Sequence, residues 1–97
     1  MEPTCQIVVN IRIPGGYAEA GRFALCGDRQ EAIDLFTQLK GEDQPYSSTA
    51  IRFDLLEVSA GLSTMLQKRF AVLSEAGDNC KLILRETFRV LTLRAVQ

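Results

Sequence analysis

Alternating apolar and polar residues open the sequence. In residues 5–13, CQIVVNIRI, the odd-numbered positions are apolar and the even-numbered ones include asparagine and arginine. A period of two with β-branched residues predicts a half-buried strand. The Pro-Gly-Gly of residues 14–16 predicts a turn. Residues 19–26 then predict a returning strand, with Phe23 and Leu25 facing inward.

After the second strand, apolar residues recur at the spacing of an α-helix. Asp28 is a good N-cap, and Glu31 three residues later nearly completes a capping box. Gly41 is placed to end the helix. The polar residues 41–49 include a proline and predict a linker. The apolar stripe of this helix comprises Ala32, Ile33, Phe36 and Leu39.

Two more strands are predicted after the linker. Residues 50–58 alternate until Leu56 and Val58 break the phase, which indicates a bulge or a strand covered on both faces. Residues 64–72 predict the fourth strand, paired with the third as a hairpin. The positions predicted to face inward are Ile51, Phe53, Leu55, Leu66, Phe70 and Val72, and those predicted to face outward on the fourth strand are Met65, Gln67, Arg69 and Ala71.

A second helix is predicted from Ser74, or from Asp78 because Gly77 weakens the first turn. A strand over residues 82–94 is the alternative, but its alternation mixes apolar and charged residues on both faces. Glu75 lies favourably near its positive end. Leu82 and Leu93 project away from the predicted core side. The core side itself follows a helical spacing through Cys80, Ile83, Leu84, Thr87, Phe88 and Leu91.

The order of elements is strand, strand, helix in both halves. It predicts an α+β protein: a two-layer sandwich in ββα-ββα order, with a four-stranded, mainly antiparallel sheet and two helices on one face. Residues 1–97 are predicted to form a single domain, with pseudo-repeat halves at about residues 4–41 and 50–93. A short match between RFAL at 22–25 and RFAV at 69–72 supports the repeat.

Composition limits the chemistry. The 97 residues include no histidine, which removes imidazole acid–base catalysis and the commonest metal ligand. Cys5, Cys26 and Cys80 are odd in number and lack motif spacing, so neither a disulfide framework nor a zinc site is expected. No metal and no cofactor is predicted. A reducing cytoplasm is the expected location, since no basic segment precedes an apolar core at the N-terminus.

Charge and hydropathy limit the partners. Eleven basic and twelve acidic residues give a net charge of −1, which steers the chain toward neither nucleic acid nor acidic membranes. No apolar run approaches the ~20 residues that span a bilayer. We therefore expect no membrane partner and disfavour nucleic acid.

Each predicted strand contributes one arginine to the sheet face away from the helices: Arg12, Arg22, Arg52 and Arg69. Four guanidinium groups on one face suit a small anionic ligand, because each offers planar, bidentate donors. Single-stranded RNA fits less well, since no stacking aromatics are predicted there. The simplest interpretation is that these arginines are ordinary solvent-facing strand residues.

The same predicted face is rich in small and apolar residues, which favours a protein interface. The predicted interface residues are Val8, Leu56 and Met65 on this face, beside Ala20 and Ala24, together with Leu82 and Leu93 of the second helix. A homodimer through the sheet face or the second helix is the expected assembly, with another protein as the other possible partner.

Cys26 precedes Gly27 and Asp28 at the start of the first helix, where a helix N-terminus stabilises a thiolate. Against a reactive thiol, Asp28 opposes a second negative charge and no histidine is available as a base. A buried, inert cysteine is the better interpretation. Asp54 and Glu57 project to opposite faces of a regular strand, which makes them a poor acid–base pair.

The sequence therefore predicts a small, non-enzymatic, self-associating interaction module. The alternative is a small-ligand or anion-binding domain that uses the outward arginines. Salt separates the two, because an arginine–anion site weakens with ionic strength and an apolar interface does not. An enzyme ranks last, since no dense polar motif is present to carry out a reaction.

Overall fold

The structure, a computed structural model, describes residues 3–95, with side chains described as far as residue 93. It is an α+β protein with one four-stranded antiparallel sheet and two helices. The elements are β1 (Thr4–Ile13), β2 (Gly16–Ala24), α1 (Arg29–Thr37), β3 (Ile51–Ser59), β4 (Leu62–Ala71) and α2 (Leu73–Ala95).

Two hairpins make up the sheet, whose strand order is β2-β1-β3-β4. The first turn is tight because Gly15 has a φ of +86°, a conformation that a residue with a side chain rarely adopts. Ile13 and Gly16 therefore pair directly across the turn. As a result β2 begins three residues earlier than the alternation of its side chains predicted.

The core lies on the sheet face that the helices cover. Its cluster joins Phe36 of α1 and Ile83 of α2 to strand residues such as Ile7, Phe53 and Leu55, each of which is fully buried. The inward positions predicted for β1 and β3 are confirmed for these strand residues. Burial of such side chains contributes about 1.5–3 kcal/mol each to folding.

A bulge in β4 reverses the predicted faces of that strand. Leu55 pairs with Gln67 and the next residue, Leu56, pairs with Met65, so Leu66 is the extra residue. One inserted residue moves every later side chain to the opposite face. The bulge predicted in the third strand is absent: β3 alternates regularly, with Leu56 opposite Gln6 and Val58 opposite Thr4. The inserted residue lies in β4 instead.

The bulge makes four predictions for β4 wrong. Gln67 and Ala71 were predicted to face outward, but they pair with the inward residues Leu55 and Ile51, and Ala71 is fully buried in the core cluster. Arg69 pairs with the core residue Phe53 and faces the helices, although it was predicted to face outward. Phe70 pairs with Arg52 and faces away from the helices, although it was predicted to face inward. The tetrapeptides that suggest an internal repeat thus differ in structure, since Phe23 packs against the core and Phe70 does not. The repeat stays a prediction.

The start of α1 follows the predicted capping. The Asp28 carboxylate accepts a hydrogen bond of 2.9 Å from the backbone N–H of Glu31. The helix ends at Thr37, however, and not at Gly41. Gly41 is instead required by close packing, because a Cβ atom there would collide with the carbonyl oxygen of Phe70.

Residues 41–49, which were predicted to be a linker, form a strap along the sheet edge. Hydrogen bonds hold the strap to β4 and within itself. Glu42 exchanges two backbone hydrogen bonds of 2.8 Å with Phe70, which covers the outer edge of β4. The Thr49 hydroxyl is fully buried and donates to the carbonyl of Tyr46 at 2.7 Å. An edge covered in this way is protected from pairing with another chain.

One buried asparagine fixes how α2 is rotated about its axis. The side chain of Asn79 donates to the Lys40 carbonyl at 2.9 Å and accepts from the Lys40 N–H at 2.7 Å. This bond pair turns Ala76, Asn79 and Ile83 toward the core. The predicted core side of the helix is therefore correct for Ile83 and wrong for three other residues, which are exposed: Leu84, Phe88 and Leu91.

Candidate functional site

Two surfaces were candidates from the sequence: the sheet face away from the helices, called here the outer face, and the second helix. The register of the four strands defines the outer face. Its members include Gln6, Val8, Asn10 and Arg12 on β1; Tyr17, Glu19, Arg22 and Ala24 on β2; Arg52, Asp54 and Leu56 on β3; and Met65, Lys68 and Phe70 on β4. Ala20, which was predicted beside Ala24, is the extra residue at a register shift in β2.

A buried carboxylate stands at the centre of the outer face. Asp54 is only 5% exposed although no helix covers it. Arg52 donates to both carboxylate oxygens, with Nε 2.9 Å from Oδ1 and Nη2 3.0 Å from Oδ2. The Asn10 amide donates to Oδ2 at 2.9 Å. All three donors are aimed at one carboxylate, so the guanidinium of Arg52 is already occupied by an anion from its own chain.

Aromatic rings lie beside this ion pair. The Arg52 guanidinium carbon lies 4.5 Å from the centroid of the Tyr17 ring, a cation–π contact. The Tyr17 and Phe70 rings are 6.4 Å apart at 54°. The outer face therefore has the aromatics that the sequence pattern placed elsewhere, but Phe70 is buried and Tyr17 half-buried. Tyr17 already carries the Arg52 guanidinium over its ring, and Phe70 is buried, so stacking aromatics of the kind that bind single-stranded RNA are not exposed in a row on this face.

Arg12 and Arg22 are exposed on the outer face and are also bonded. Arg12 donates to the backbone carbonyl of Ser47 in the strap at 3.0 Å. Arg22 donates to Glu19 at 2.8 Å and to Gln6 at 2.7 Å. The hydrogen bond from Arg22 lowers the pKa of the Glu19 carboxyl below its ordinary value.

Arg69 lies on the other side of the sheet from the remaining arginines. Its guanidinium carbon is 5.6 Å from the centroid of the Phe36 ring, and Nη1 donates to the Leu39 carbonyl at 2.6 Å. Its Nε is buried without a hydrogen-bond partner among the described residues and is 4.0 Å from the nearest oxygen of Asp43. The structure therefore does not bring the four predicted arginines together.

The predicted apolar patch on the outer face is smaller than the sequence pattern indicates. Val8 does face outward, but it is buried at 4% exposure. Leu56 is half-buried, and Met65 is exposed. Val8 lies between Arg22 of β2 and Asp54 of β3 in the paired strands.

A larger apolar surface lies on α2. Leu84, Phe88 and Leu91 are 57%, 72% and 52% exposed, and we call these three residues the α2 stripe. Their spacing of four and then three residues aligns them on one side of the helix. At about 100° per residue, this side lies roughly a quarter turn from Ile83, which faces the core. The spacing of the stripe was predictable from the sequence, but its exposure follows from the rotation of α2, in which Asn79 faces the core.

The other two predicted interface leucines do not belong to the α2 stripe. Leu82 is half-buried and packs against the core cluster. Leu93 is 51% exposed, but it lies on the opposite flank of the helix from Leu84 and Leu91.

Cys26 lies in a groove between the two helices, a cavity of about 210 Å³. The thiol is free and half-buried. The carboxylate of Asp28 accepts the backbone N–H of Glu31 at the start of α1, next to this groove. The remaining lining residues are Leu25, Glu31, Ala32, Asp34, Leu35, Gln38, Glu86, Thr87, Arg89 and Val90.

The thiols of Cys5, which is buried, and Cys80, which is half-buried, predict how stability changes at high pH. Burial is the main cause that raises the pKa of both Cys5 and Cys80 above the ordinary value of 9.0. The unfolded chain therefore loses these protons first, and the free energy of unfolding should fall as pH rises through 9 toward the folded-state pKa values. Urea unfolding from pH 7 to 10.5 measures this. A Cys5→Ala/Cys80→Ala variant should show a shallower decline, and an unchanged decline would contradict the prediction.

Two further tests of the described residues are negative. Within residues 3–95 no group of three or more Cys, Asp or Glu side chains is placed to hold a metal ion. None of the helices in this part of the chain is both long enough and apolar enough to cross a bilayer.

Comparison with known proteins adds no relative: no family model, no curated protein and no solved structure matches the chain.

Proposed function

We propose that this protein is a non-enzymatic interaction module that self-associates through the α2 stripe. The observation that carries the proposal is the exposure of Leu84, Phe88 and Leu91 along one side of a helix. Contiguous apolar surface of a few hundred Å² on a small soluble protein is typical of a protein interaction site. A second copy of the chain is the partner, because a stripe of this kind is complementary to itself about a two-fold axis.

The size of the stripe sets the expected affinity. Three side chains make an apolar centre below the ~800 Å² per partner of a standard interface. A weak dimer, with a dissociation constant of about 10 µM, fits a contact of this size. Such a module assembles and dissociates with concentration, which suits a transient role.

The outer face gives less support to self-association. Its central residues are buried within one chain, and Asp54, Arg52 and Asn10 satisfy one another. A partner on this face would gain little apolar burial. We therefore place the contact on α2, and we infer that both helices form one layer over the other face of the sheet, in the predicted two-layer arrangement. Shared burial of Phe36 and Ile83 in one cluster supports this layer.

Anion binding is the second candidate function. It would rest on Arg12 and Arg22, whose side chains remain exposed on the outer face. Both already bond to oxygen atoms of their own chain, so an anion would have to displace those contacts. A reducing cytoplasm remains the proposed location and fits three cysteines that are all free in the structure.

Absolute mass across a dilution series tests the proposed function. Light scattering from ~1 µM to ~1 mM should show a transition from one chain to two, centred near 10 µM. The midpoint should stay in place between low and high salt, because an apolar contact is not screened. Phe88→Ser should shift the midpoint about 100-fold or more, since two phenylalanines leave the interface at once.

Leu62→Ser is the matched control, because Leu62 is 74% exposed at the β3–β4 hairpin and Phe88 is 72% exposed on α2. The control should dimerise like the parent chain. A parent chain that stays monomeric at ~1 mM contradicts self-association. A midpoint that moves strongly with salt or with added phosphate would favour the anion-binding candidate instead.

A further inference from the structure

The groove between the two helices, called here the helix groove, has the size and lining of a small-molecule site. We propose that it binds a small aromatic amine, with the ring between α1 and α2 and the ammonium group beside the carboxylates at the rim. This proposal goes beyond self-association and does not depend on it, because the residues that line the groove do not include the α2 stripe.

The helix groove is roomy because several of the residues that line it are small. Ala32 of α1 and Thr87 and Val90 of α2 all line the cavity. Short side chains such as these leave part of the space between two helices unfilled. The cavity of about 210 Å³ exceeds the ~150 Å³ that is enough for an apolar cavity to bind benzene. One aromatic ring with a short chain therefore fits.

The walls of the helix groove favour an apolar ring. Leu25, Leu35 and Val90 line the cavity and are only half-buried. A ring that enters the groove removes the exposed part of these side chains from water, and this burial favours binding. The gain does not depend on the charge of the ligand, so it selects for shape and apolar surface alone.

The rim of the helix groove is negatively charged. Among the described residues that line it, the charged ones are Glu31, Asp34, Glu86 and Arg89. Arg89 donates to the Glu86 carboxylate from Nη2 at 2.7 Å and from Nε at 3.0 Å, so these two charges neutralise one another. Asp34 accepts a hydrogen bond of 2.9 Å from the neutral amide of Gln30, which leaves its charge in place. Two negative charges therefore remain on the α1 side.

An organic cation is the occupant that combines these properties. A carboxylate ligand would be repelled by Glu31 and Asp34, whereas an ammonium group would be attracted to both. A bare metal ion is a poorer candidate, because no group of three or more Cys, Asp or Glu side chains within residues 3–95 is placed to hold one. The apolar walls also give a metal ion nothing to bind.

Three probes that share one ring test the proposal. At pH 7 phenethylamine is a cation, phenethyl alcohol is neutral and hydrocinnamate is an anion. Titrations followed by NMR of the Leu35 and Val90 methyl groups should give a dissociation constant of about 1 mM for the amine. The alcohol should bind about tenfold more weakly, and the carboxylate should cause no shift at about 20 mM. Equal or tighter binding of the alcohol or the carboxylate overturns the proposal, as does the absence of any shift with the amine.

A charge variant with a matched control separates the rim from the overall charge. Asp34→Asn keeps an oxygen that accepts from Gln30 and removes one rim charge, so it should weaken binding of the amine about threefold and leave the alcohol unaffected. Asp43→Asn makes the same change in the strap, at an exposed position outside the groove, and should bind the amine like the parent chain. Equal effects of the two variants would contradict the proposed site.

The Cys26 thiol reports whether the groove is occupied, because it lines the same cavity. Alkylation by iodoacetamide, located by peptide mass spectrometry, should slow about sixfold at an amine concentration of about five times the dissociation constant. Val90→Phe places a ring of the chain itself in the groove and should abolish this protection, with folding checked by circular dichroism. Undiminished alkylation of Cys26, or protection that persists in Val90→Phe, overturns the proposal. A parent chain that stays monomeric contradicts self-association and leaves this site standing.

Discussion

Replacing Phe53 with alanine should cost the protein about 3–5 kcal/mol of its free energy of unfolding. Phe53 is fully buried in the middle of β3, between β1 and β4. Its ring packs in the cluster that joins the sheet to both helices. Removing the ring loses its transfer free energy and leaves a cavity that the paired strands on either side cannot close.

This loss is large for a domain of this size. A chain of about 100 residues has a total stability of about 5–10 kcal/mol, so Phe53→Ala should remove a third or more of it. Urea unfolding followed by circular dichroism measures the change. Phe88→Ala is the matched control, because it removes the same ring from an exposed position. Measured below about 1 µM, where the proposed dimer is expected to dissociate, it should change stability by less than about 0.5 kcal/mol. Equal effects at the two positions would contradict the assignment of the core.

The second large effect is expected at the buried ion pair of the outer face. Arg52→Met should destabilise the protein by about 3–5 kcal/mol, because it leaves the Asp54 carboxylate buried without its cation. The methionine keeps an apolar stem beside the Tyr17 ring, so the loss reports the charge and its two hydrogen bonds. Asn10 then remains as the side chain that donates to the carboxylate.

A double-mutant cycle separates the ion pair from the packing around it. Arg52→Met/Asp54→Leu removes both charges, and it should recover most of the stability lost in Arg52→Met. Urea midpoints of the parent, both single variants and the double variant give the coupling energy. If the double variant is as unstable as the sum of the single variants, the two side chains act independently and the proposed role of the pair is wrong.

Local pattern was sufficient for much of the fold. The alternation of β1, the capping of α1 by Asp28 and the inward residues of β3 were all predictable, because each depends on neighbours within a few residues. The number of elements and the α+β class follow from the same local signals. The exposed polar character of Arg12 and Arg22 also followed, since both lie on strand positions opposite apolar ones.

Two features were decided by contacts between distant residues. The bulge at Leu66 depends on how β3 and β4 pair. Because of it, Arg69 lies on the helix side of the sheet and Phe70 on the outer face. The rotation of α2 depends on Asn79, whose side chain forms two hydrogen bonds with the backbone of Lys40. Lys40 lies between the end of α1 and the strap. No periodicity within α2 distinguishes a stripe around Ile83 from one around Leu84.

The elements, the strand that carries each arginine and the apolar spacing of the second helix all follow from the order of the amino acids, because these are properties of short segments. Tertiary structure alone decided which apolar residues remain outside and which arginines share a face. One inserted residue in a strand moves the side chains that follow it to the opposite face of the sheet. The hydrogen-bond pair of Asn79 goes with a rotation of α2 by about a quarter turn from the orientation that its apolar spacing predicted. The α2 stripe, on which the proposed function depends, is exposed because α2 buries its other side, with Ala76, Asn79 and Ile83, in the core.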